Sequence, residues 1–146
     1  MTFLAKDIRD QLKASTNIVN AFSDRIYSRV VPQDRADAYP CIVINDISNQ
    51  PEYGLRGEVG LHTSQFQLDV WTDGTGGEAK ANELSELVRN RLNGYRGTFG
   101  TGCYGTARLI RNNSDVTPPT DASDAHHRRV SMDFEFVHSA SVSSLT

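Results

Sequence analysis

Residues 74–79, with the sequence GTGGEA, are of the types that bind phosphate. They fit the pattern G-x-G-x-x-A, in which glycines between a strand and a helix bring the pyrophosphate of a dinucleotide to the helix N-terminus. Such a site also requires a parallel strand after the helix, with an acidic residue near its end. Residues 94–100, GYRGTFG, provide neither. We therefore predict no cofactor, and we interpret the glycines as a turn before a capped helix.

Metal ligands are the second kind of chemistry to consider, because the chain has four histidines. No two of them are four residues apart on a predicted helix, and no pair of cysteines has the spacing of a zinc site. The neighbours His126 and His127 would point to opposite sides of an extended chain. The sequence predicts no metal site, and we interpret the histidines as exposed or interfacial.

Covalent catalysis would require a nucleophile beside a base. Serine, histidine and aspartate are plentiful, but no G-x-S-x-G turn selects a serine. Cys41 falls in an apolar strand, where a thiol is unreactive. A lone pair of cysteines in a chain without a signal peptide is typical of reduced thiols, so Cys41 and Cys103 are interpreted as structural. The sequence selects no catalytic residue and predicts that the protein is not an enzyme.

Two short segments have side chains suited to binding another molecule. Residues 126–129, HHRR, form the densest positive run, which suits phosphate or an acidic protein surface, or else a solvated loop end. The glycine-rich stretch 48–60 carries aromatic, aliphatic and charged residues of the kinds found in interfaces, or else is a disordered loop. The interface candidates are Tyr53, Leu55, Arg56, Glu58, Arg128 and Arg129.

The size and charge of the chain limit what it can bind. Its 146 residues suit one domain spanning residues 1–146, with residues from about 139 to 146 as a flexible tail. The formal charge of −3 argues against broad adhesion to DNA or anionic lipid. No apolar run approaches the length of a membrane span, and the N-terminus lacks the apolar core of a secretory signal. We therefore expect a protein made in the cytoplasm, without a membrane partner.

The clearest secondary structure surrounds the glycine turn. Phe66, Leu68 and Val70 alternate with polar residues, which predicts a strand with one apolar face. After the turn, apolar residues recur every three or four positions from residue 78 to residue 92, which predicts an amphipathic helix. Thr75 and Glu78 would cap its start, and Gly94 would end it. The strand and the helix are expected to bury their apolar faces against each other.

The remaining pattern predicts one more helix and several strands. A helix is expected over residues 3–14 and a helical turn over 18–22. Strands are expected over residues 25–31, 41–47, 106–111 and 130–137, with 41–47 as the central strand. Residues 48–60 should form a protruding loop or β-arm, residues 94–105 a flexible segment, and residues 112–124 a loop. The fold class is α+β, a mostly antiparallel sheet of four to five strands with two helices packed on one face.

Taken together, these segments resemble the small tail-completion proteins of long-tailed bacteriophages, also called tail terminators or head–tail joining proteins. The similarity extends from about Leu4 to His138. The segments that carry it are residues 25–27 (RIY), 31–33 (VPQ), 39–44 (YPCIVI), 66–71 (FQLDVW), 78–79 (EA) and 127–130 (HRRV).

This resemblance implies a structural virion protein without catalytic residues. Its subunits would form a hexameric ring at the head-proximal end of the tail tube, end tube polymerisation and join the tail to the head. The implied partners are further copies of itself, the tail tube protein, a head-completion or connector protein, and DNA that passes through the lumen without specific binding. The implied location is the neck region of the virion, after assembly in the host cytoplasm. The family offers no functional residue to transfer, and the matches at Trp71 and Tyr39-Pro40 are expected to maintain the fold.

Two alternatives of other classes remain at this point. A small nucleic-acid-binding or regulatory module would use Arg128, Arg129 and the nearby histidines. A nucleotide binder or small enzyme would use the turn at Gly74.

Overall fold

The computed structural model describes residues 5–29, 40–55, 57–72, 77–99, 103–117 and 127–139. In these ranges three helices and six strands follow one another. They are α1 (Ala5–Lys13), α2 (Thr16–Phe22), β1 (Ile26–Ser28), β2 (Cys41–Gly54), β3 (Gly57–Thr72), α3 (Gly77–Leu92), β4 (Arg96–Phe99), β5 (Cys103–Thr117) and β6 (His127–Ser139). None of the helices in these ranges is long and apolar enough to cross a membrane.

The strands form one curled sheet in the order β1-β2-β3-β6-β5-β4. Every neighbouring pair is antiparallel except β1 and β2, which are parallel. The prediction of a mostly antiparallel α+β sheet is therefore confirmed, but the number of strands is six rather than four to five. The prediction that residues 41–47 form the central strand is wrong, because β3 and β6 lie at the centre and β2 is next to the edge.

β2 and β3 are far longer than predicted because they continue as a two-stranded arm. Their pairing extends from Cys41 with Trp71 to Gly54 with Gly57 at the tip. β6 accompanies β3 only as far as the pair Leu61 and Ser139, so the tip projects beyond the third strand. Of the two predictions for residues 48–60, the β-arm is confirmed.

β5 and β4 correct two further predictions. β5 continues to Thr117, so residues 112–117 are strand rather than loop, and they pair with the first half of β6. Residues 96–99, expected to be flexible, form the edge strand β4 against the beginning of β5. Glycine-rich sequence at an edge carries little periodicity, because a strand of four residues shows only two side chains on each face.

All three helices cover the same face of the sheet. Ile8 and Leu12 of α1, Phe22 of α2, and Leu84 and Val88 of α3 are buried in one core. The sheet contributes its alternating apolar residues to that core: Ile42, Ile44, Phe66, Leu68, Val70, Val130, Met132, Phe134 and Phe136. The predicted pairing of strand and helix is confirmed. Two helices were expected, but residues 16–22 form a third rather than a single turn.

The end of α3 provides a test of local backbone geometry. Gly94 follows the helix with a φ of 81°, and a Cβ built on it would meet nothing within 4 Å. A side chain at this position would therefore meet no steric clash with other residues, and its only cost would be the strain of the left-handed backbone conformation. We expect Gly94→Ala to lose about 1 kcal/mol of unfolding free energy. Urea denaturation would measure this cost. Gly94→Asn is the matched control, since Asn tolerates this conformation better than Ala, and it should be less destabilising. Equal stability of wild type and Gly94→Ala would contradict the prediction.

Candidate interaction surfaces

The arm displays the first group of predicted interface residues. Tyr53 is 68% exposed and Leu55 is fully exposed at the tip. The backbone of Glu58 pairs with Tyr53 across the arm. Arg56 lies outside the described residues, as does the side chain of Glu58. Large apolar side chains held in water at a projecting tip are typical of a contact surface, since their exposure has no benefit in an isolated subunit.

The second group lies at the other end of the sheet. Arg128 pairs with Thr72, and Arg129 pairs with Trp71, at the far end of β3 from the arm. Since β3 advances about 3.3 Å per residue, the two groups are separated by roughly 45 Å. The six candidates therefore belong to two distant surfaces and not to one site.

The two arginines also differ from each other. Consecutive strand residues point to opposite faces, so Arg128 lies on the side of the helices and Arg129 on the other side. The guanidinium carbon of Arg129 lies 5.5 Å from the ring centroid of Trp71, the distance of a cation–π contact. The positive run predicted from the sequence is thus divided between two faces, which makes it a poorer phosphate site than the sequence indicated.

A polar network lies beside Arg129 on the face opposite the helices. Asp69 is buried there, and its carboxylate accepts a hydrogen bond of 2.7 Å from the Ser131 hydroxyl and one of 3.3 Å from the Asn45 side-chain amide. Burial raises the pKa of Asp69, while the Ser131 hydrogen bond and the charge of Arg129 act in the opposite direction. The network links β2, β3 and β6 across the middle of the sheet.

A second polar network lies on the helix side, between the core and the arm. The Ser64 hydroxyl is 2.7 Å from His138 Nε2, and His138 Nδ1 is 3.0 Å from the Ser139 carbonyl oxygen. A carbonyl only accepts, so Nδ1 carries the proton and Nε2 accepts from Ser64. The Asn49 amide donates to the Ser64 hydroxyl at 2.9 Å, and Asn49 Oδ1 lies 2.7 Å from His62 Nδ1.

The Ser64–His138 pair has the hydrogen bond of a nucleophile and its base. Both side chains are only 1% exposed, however, and the serine oxygen already accepts from Asn49. A substrate has no access to this oxygen. The pair is therefore a buried connection between β3 and β6, extended to β2 by Asn49.

This network predicts a loss of stability in mild acid. Burial lowers the pKa of His138, as does the neighbouring His62, whereas the Ser139 carbonyl and Asp7 of α1 act in the opposite direction. The folded state thus favours the neutral ring. The contribution of His138 to the unfolding free energy should be constant above the ordinary histidine pKa of about 6.5 and should fall as the pH drops below it.

Urea denaturation of wild type and His138→Gln between pH 8 and pH 5 would measure the effect. Glutamine cannot titrate, so the variant should be less stable at pH 8 but should lose less stability on acidification. Identical pH dependence of the two proteins would contradict the prediction.

The other predicted chemistry can be located only in part. Gly74, Thr75 and Gly76 of the glycine turn, and His126, lie outside the described residues. No group of three potential metal ligands occurs within the part of the chain that the structure describes. Cys41 is a buried free thiol, and burial raises its pKa to about 12, which agrees with a structural rather than a reactive cysteine.

Comparison with known proteins decides the family. The sequence matches the family described as tail completion protein gp17 over residues 6–139, which is nearly the whole chain. The chain belongs to this family. It is therefore a structural protein of a phage-like virion, located in the tail and neck region, as the resemblance implied.

Among solved structures, a chain from the virion of a native gene transfer agent particle has the same fold as this tail completion protein. The two superpose with a TM-score of 0.72 at 18% identity, over 94% of this chain and 95% of the other. A second solved chain aligns over 97% of this chain and 91% of its own at 14% identity, with a TM-score of 0.49 that is too low to argue from. No curated protein matches the sequence.

Sequence reasoning missed both polar networks of this tail completion protein. Their members come from three strands and are Asn45, Asn49, His62, Ser64, Asp69, Ser131 and His138. Which of them meet depends on strand register, and the sequence did not indicate that β6 pairs with β3. The sequence did contain one signal. Ser64 and His138 are polar residues at positions where the alternation of β3 and β6 predicts side chains that face the core.

Proposed function

We propose that this tail completion protein assembles as a ring, expected to be a hexamer, at the head-proximal end of the tail tube. The ring would end tube polymerisation and provide the surface to which the head-completion or connector protein binds. DNA would pass through the lumen without specific contacts. The observation that carries the proposal is the family match over residues 6–139.

The arrangement of the interface candidates supports a joining role. The exposed Tyr53 and Leu55 lie at one end of the sheet, and the half-buried Arg128 and Arg129 lie at the other. A subunit between tube and head must contact different proteins at its two ends, and these two pairs of residues differ in chemistry, since the first is apolar and the second is basic. We assign no partner to either end.

Electron microscopy of the purified protein tests the proposal directly. Negatively stained particles are expected to be rings with a central hole, either alone or at one end of tubes polymerised from purified tube subunits. Tubes grown with the protein should stop at a defined end, whereas tubes grown without it should continue to lengthen. A protein that stays monomeric with and without tubes, and does not change tube length, would overturn the proposal.

The nucleic-acid-binding alternative receives no specific support from the geometry. Arg129 lies against Trp71 and close to the Asp69 carboxylate, so its charge already has local partners. Absence of DNA or RNA binding at low salt would end that alternative.

A further inference from the structure

Two long strands have edges that are covered along only part of their length. β1 pairs with β2 only at Ile42, Val43 and Ile44. On the other side of the sheet, β4 pairs with β5 from Cys103 to Thr106, and the turn after α3 extends these contacts to Leu109. Among the described residues, no strand pairs with the outer edge of β2 from residue 46 onward or with that of β5 from residue 110 onward. An uncovered strand edge is a template for pairing with another chain.

The two uncovered edges lie at diagonally opposite corners of the sheet. Asp46, Phe66, Phe134 and Leu109 lie in one row across β2, β3, β6 and β5. From that row the β2 edge continues toward the arm, and the β5 edge continues in the opposite direction. A second copy displaced along the strands would bring its β5 edge beside the β2 edge of the first. The two strands would then run antiparallel, because β2 and β5 run in opposite directions within the sheet.

The side chains of the two edges match in one register. Residues 46–53 and 110–117 have equal length, and full antiparallel overlap brings Glu52 beside Arg111 and Tyr53 beside Ile110. Glu52 and Arg111 are exposed acid and base. Tyr53 is 68% exposed and Ile110 is 47% exposed. Opposite charges and large apolar side chains are favourable cross-strand neighbours.

The charge of the β2 edge also favours a β5 edge over a second β2 edge. Residues 46–53 contain two acids, Asp46 and Glu52, and no basic residue. Residues 110–117 contain one base, Arg111, and one acid, Asp115. Two copies of the β2 edge would therefore repel each other, whereas the β5 edge has no net charge and places Arg111 beside Glu52.

Features of the β2 edge also restrict which strand it accepts. Pro51 has no N–H to donate, and the β2–β3 register shifts next to Ile47 and again between Pro51 and Tyr53, so the hydrogen-bonding groups along this edge are not evenly spaced. Such interruptions protect edges from indiscriminate pairing. Pairing at this edge therefore depends on matched side chains, which the β5 edge supplies.

We propose that residues 46–53 of one subunit pair antiparallel with residues 110–117 of a second copy, with Glu52 beside Arg111 and Tyr53 beside Ile110. The interface joins two different surfaces, so it is heterologous, which is the kind of contact that can repeat from subunit to subunit around a ring. This interface rests on the proposed ring and specifies the contacts that close it.

Charge reversal at the matched pair tests the interface. Glu52→Arg and Arg111→Glu should each lower the fraction of assembled protein at least tenfold in sedimentation velocity, and the double variant should recover most of it. Glu86→Arg on α3 and Arg96→Glu on β4 change the same charges at other exposed positions, so they should assemble like wild type. If both single variants assemble as well as these controls, the interface is wrong while the ring stands. If wild type does not assemble even on tubes, both proposals fail.

Cross-linking provides an independent test that does not depend on the strength of the ion pair. One preparation carries Tyr53→Cys and another Ile110→Cys, both with Cys103→Ser, while Cys41 remains buried. Mild oxidation should yield disulfide-linked dimers only when the two preparations are mixed before assembly. Dimers formed by either preparation alone, or no dimers from assembled mixtures, would overturn the proposed pairing.

Discussion

Phe136→Ala is expected to remove about 4 kcal/mol of unfolding free energy, a large part of what a domain of this size possesses. The ring of Phe136 is fully buried on β6, where it meets three other phenylalanines. Its centroid lies 5.7 Å from that of Phe66, 5.6 Å from that of Phe99 and 6.1 Å from that of Phe134. The first two contacts are edge-to-face, a favourable aromatic geometry. Truncation leaves a cavity that β3, β4 and β6 all border, and such a site cannot collapse easily.

Glu135→Ala is the matched control on the same strand. Glu135 points to the opposite face, where it forms a 3.0 Å ion pair with the exposed Arg108. An ion pair of this kind contributes little, so the control should lose no more than about 1 kcal/mol. Urea denaturation followed by circular dichroism measures both. If the two variants lost similar stability, the phenylalanine cluster would not be the centre of the core.

Among substitutions of glycine, Gly105→Ala is expected to be the most damaging, with a loss of about 3 kcal/mol of unfolding free energy. Gly105 pairs with His138 in the β5–β6 ladder. A Cβ at this position would lie 2.6 Å from the Val137 carbonyl oxygen and 2.9 Å from His138 Cβ. Both atoms belong to β6, which is paired with β3 on its other side and cannot move away. β5 and β6 must therefore separate locally. The displacement would also disturb the hydrogen bond between His138 and Ser64.

Thr106→Ala controls for this change, because it alters the next residue of β5 without adding an atom. It should cost well under half as much in urea denaturation. The histidine ring signals of His138 should shift in NMR spectra of Gly105→Ala and stay in place in Thr106→Ala. An unchanged stability of Gly105→Ala would mean that β5 lies farther from β6 than the ladder indicates.

The sequence predicted those elements whose own side chains alternate between core and solvent. β3 at Phe66, Leu68 and Val70 and the stripe of α3 were predicted correctly because one apolar face determines the period. The same holds for the apolar half of β6. These elements form the middle of the sheet and its main helix, so the fold class followed from them.

The elements that were missed owe their structure to a partner. The outer part of β3, residues 57–61, was predicted only as one side of a loop or β-arm, because it has no apolar alternation. It is a regular strand because β2 pairs with it and β6 joins at Leu61. β4 has four residues, too few for a period to appear. β1, at residues 26–28, lies within the strand predicted over residues 25–31. The parallel pairing of β1 with β2 depends on the path of the chain between them. Tyr53 and Arg129 were predicted as contact residues from their residue types. Their location at opposite ends of the sheet depends on strand pairing, so the sequence did not predict it.

The uninterrupted ladder between β3 and β6 has a mechanical consequence. Twelve successive pairs join these strands, from Leu61 with Ser139 to Thr72 with Arg128, without a shift of register. Sliding one strand along the other would break all twelve pairs together, so this central pair acts as a stiff rod from one end of the subunit to the other. The flanking ladders do shift register, the β2–β3 ladder near Ile47 and again near Glu52, and the β5–β6 ladder near Ile110. Bending under load would concentrate at these three points, which lets the edges of a subunit yield while the distance between its ends stays fixed.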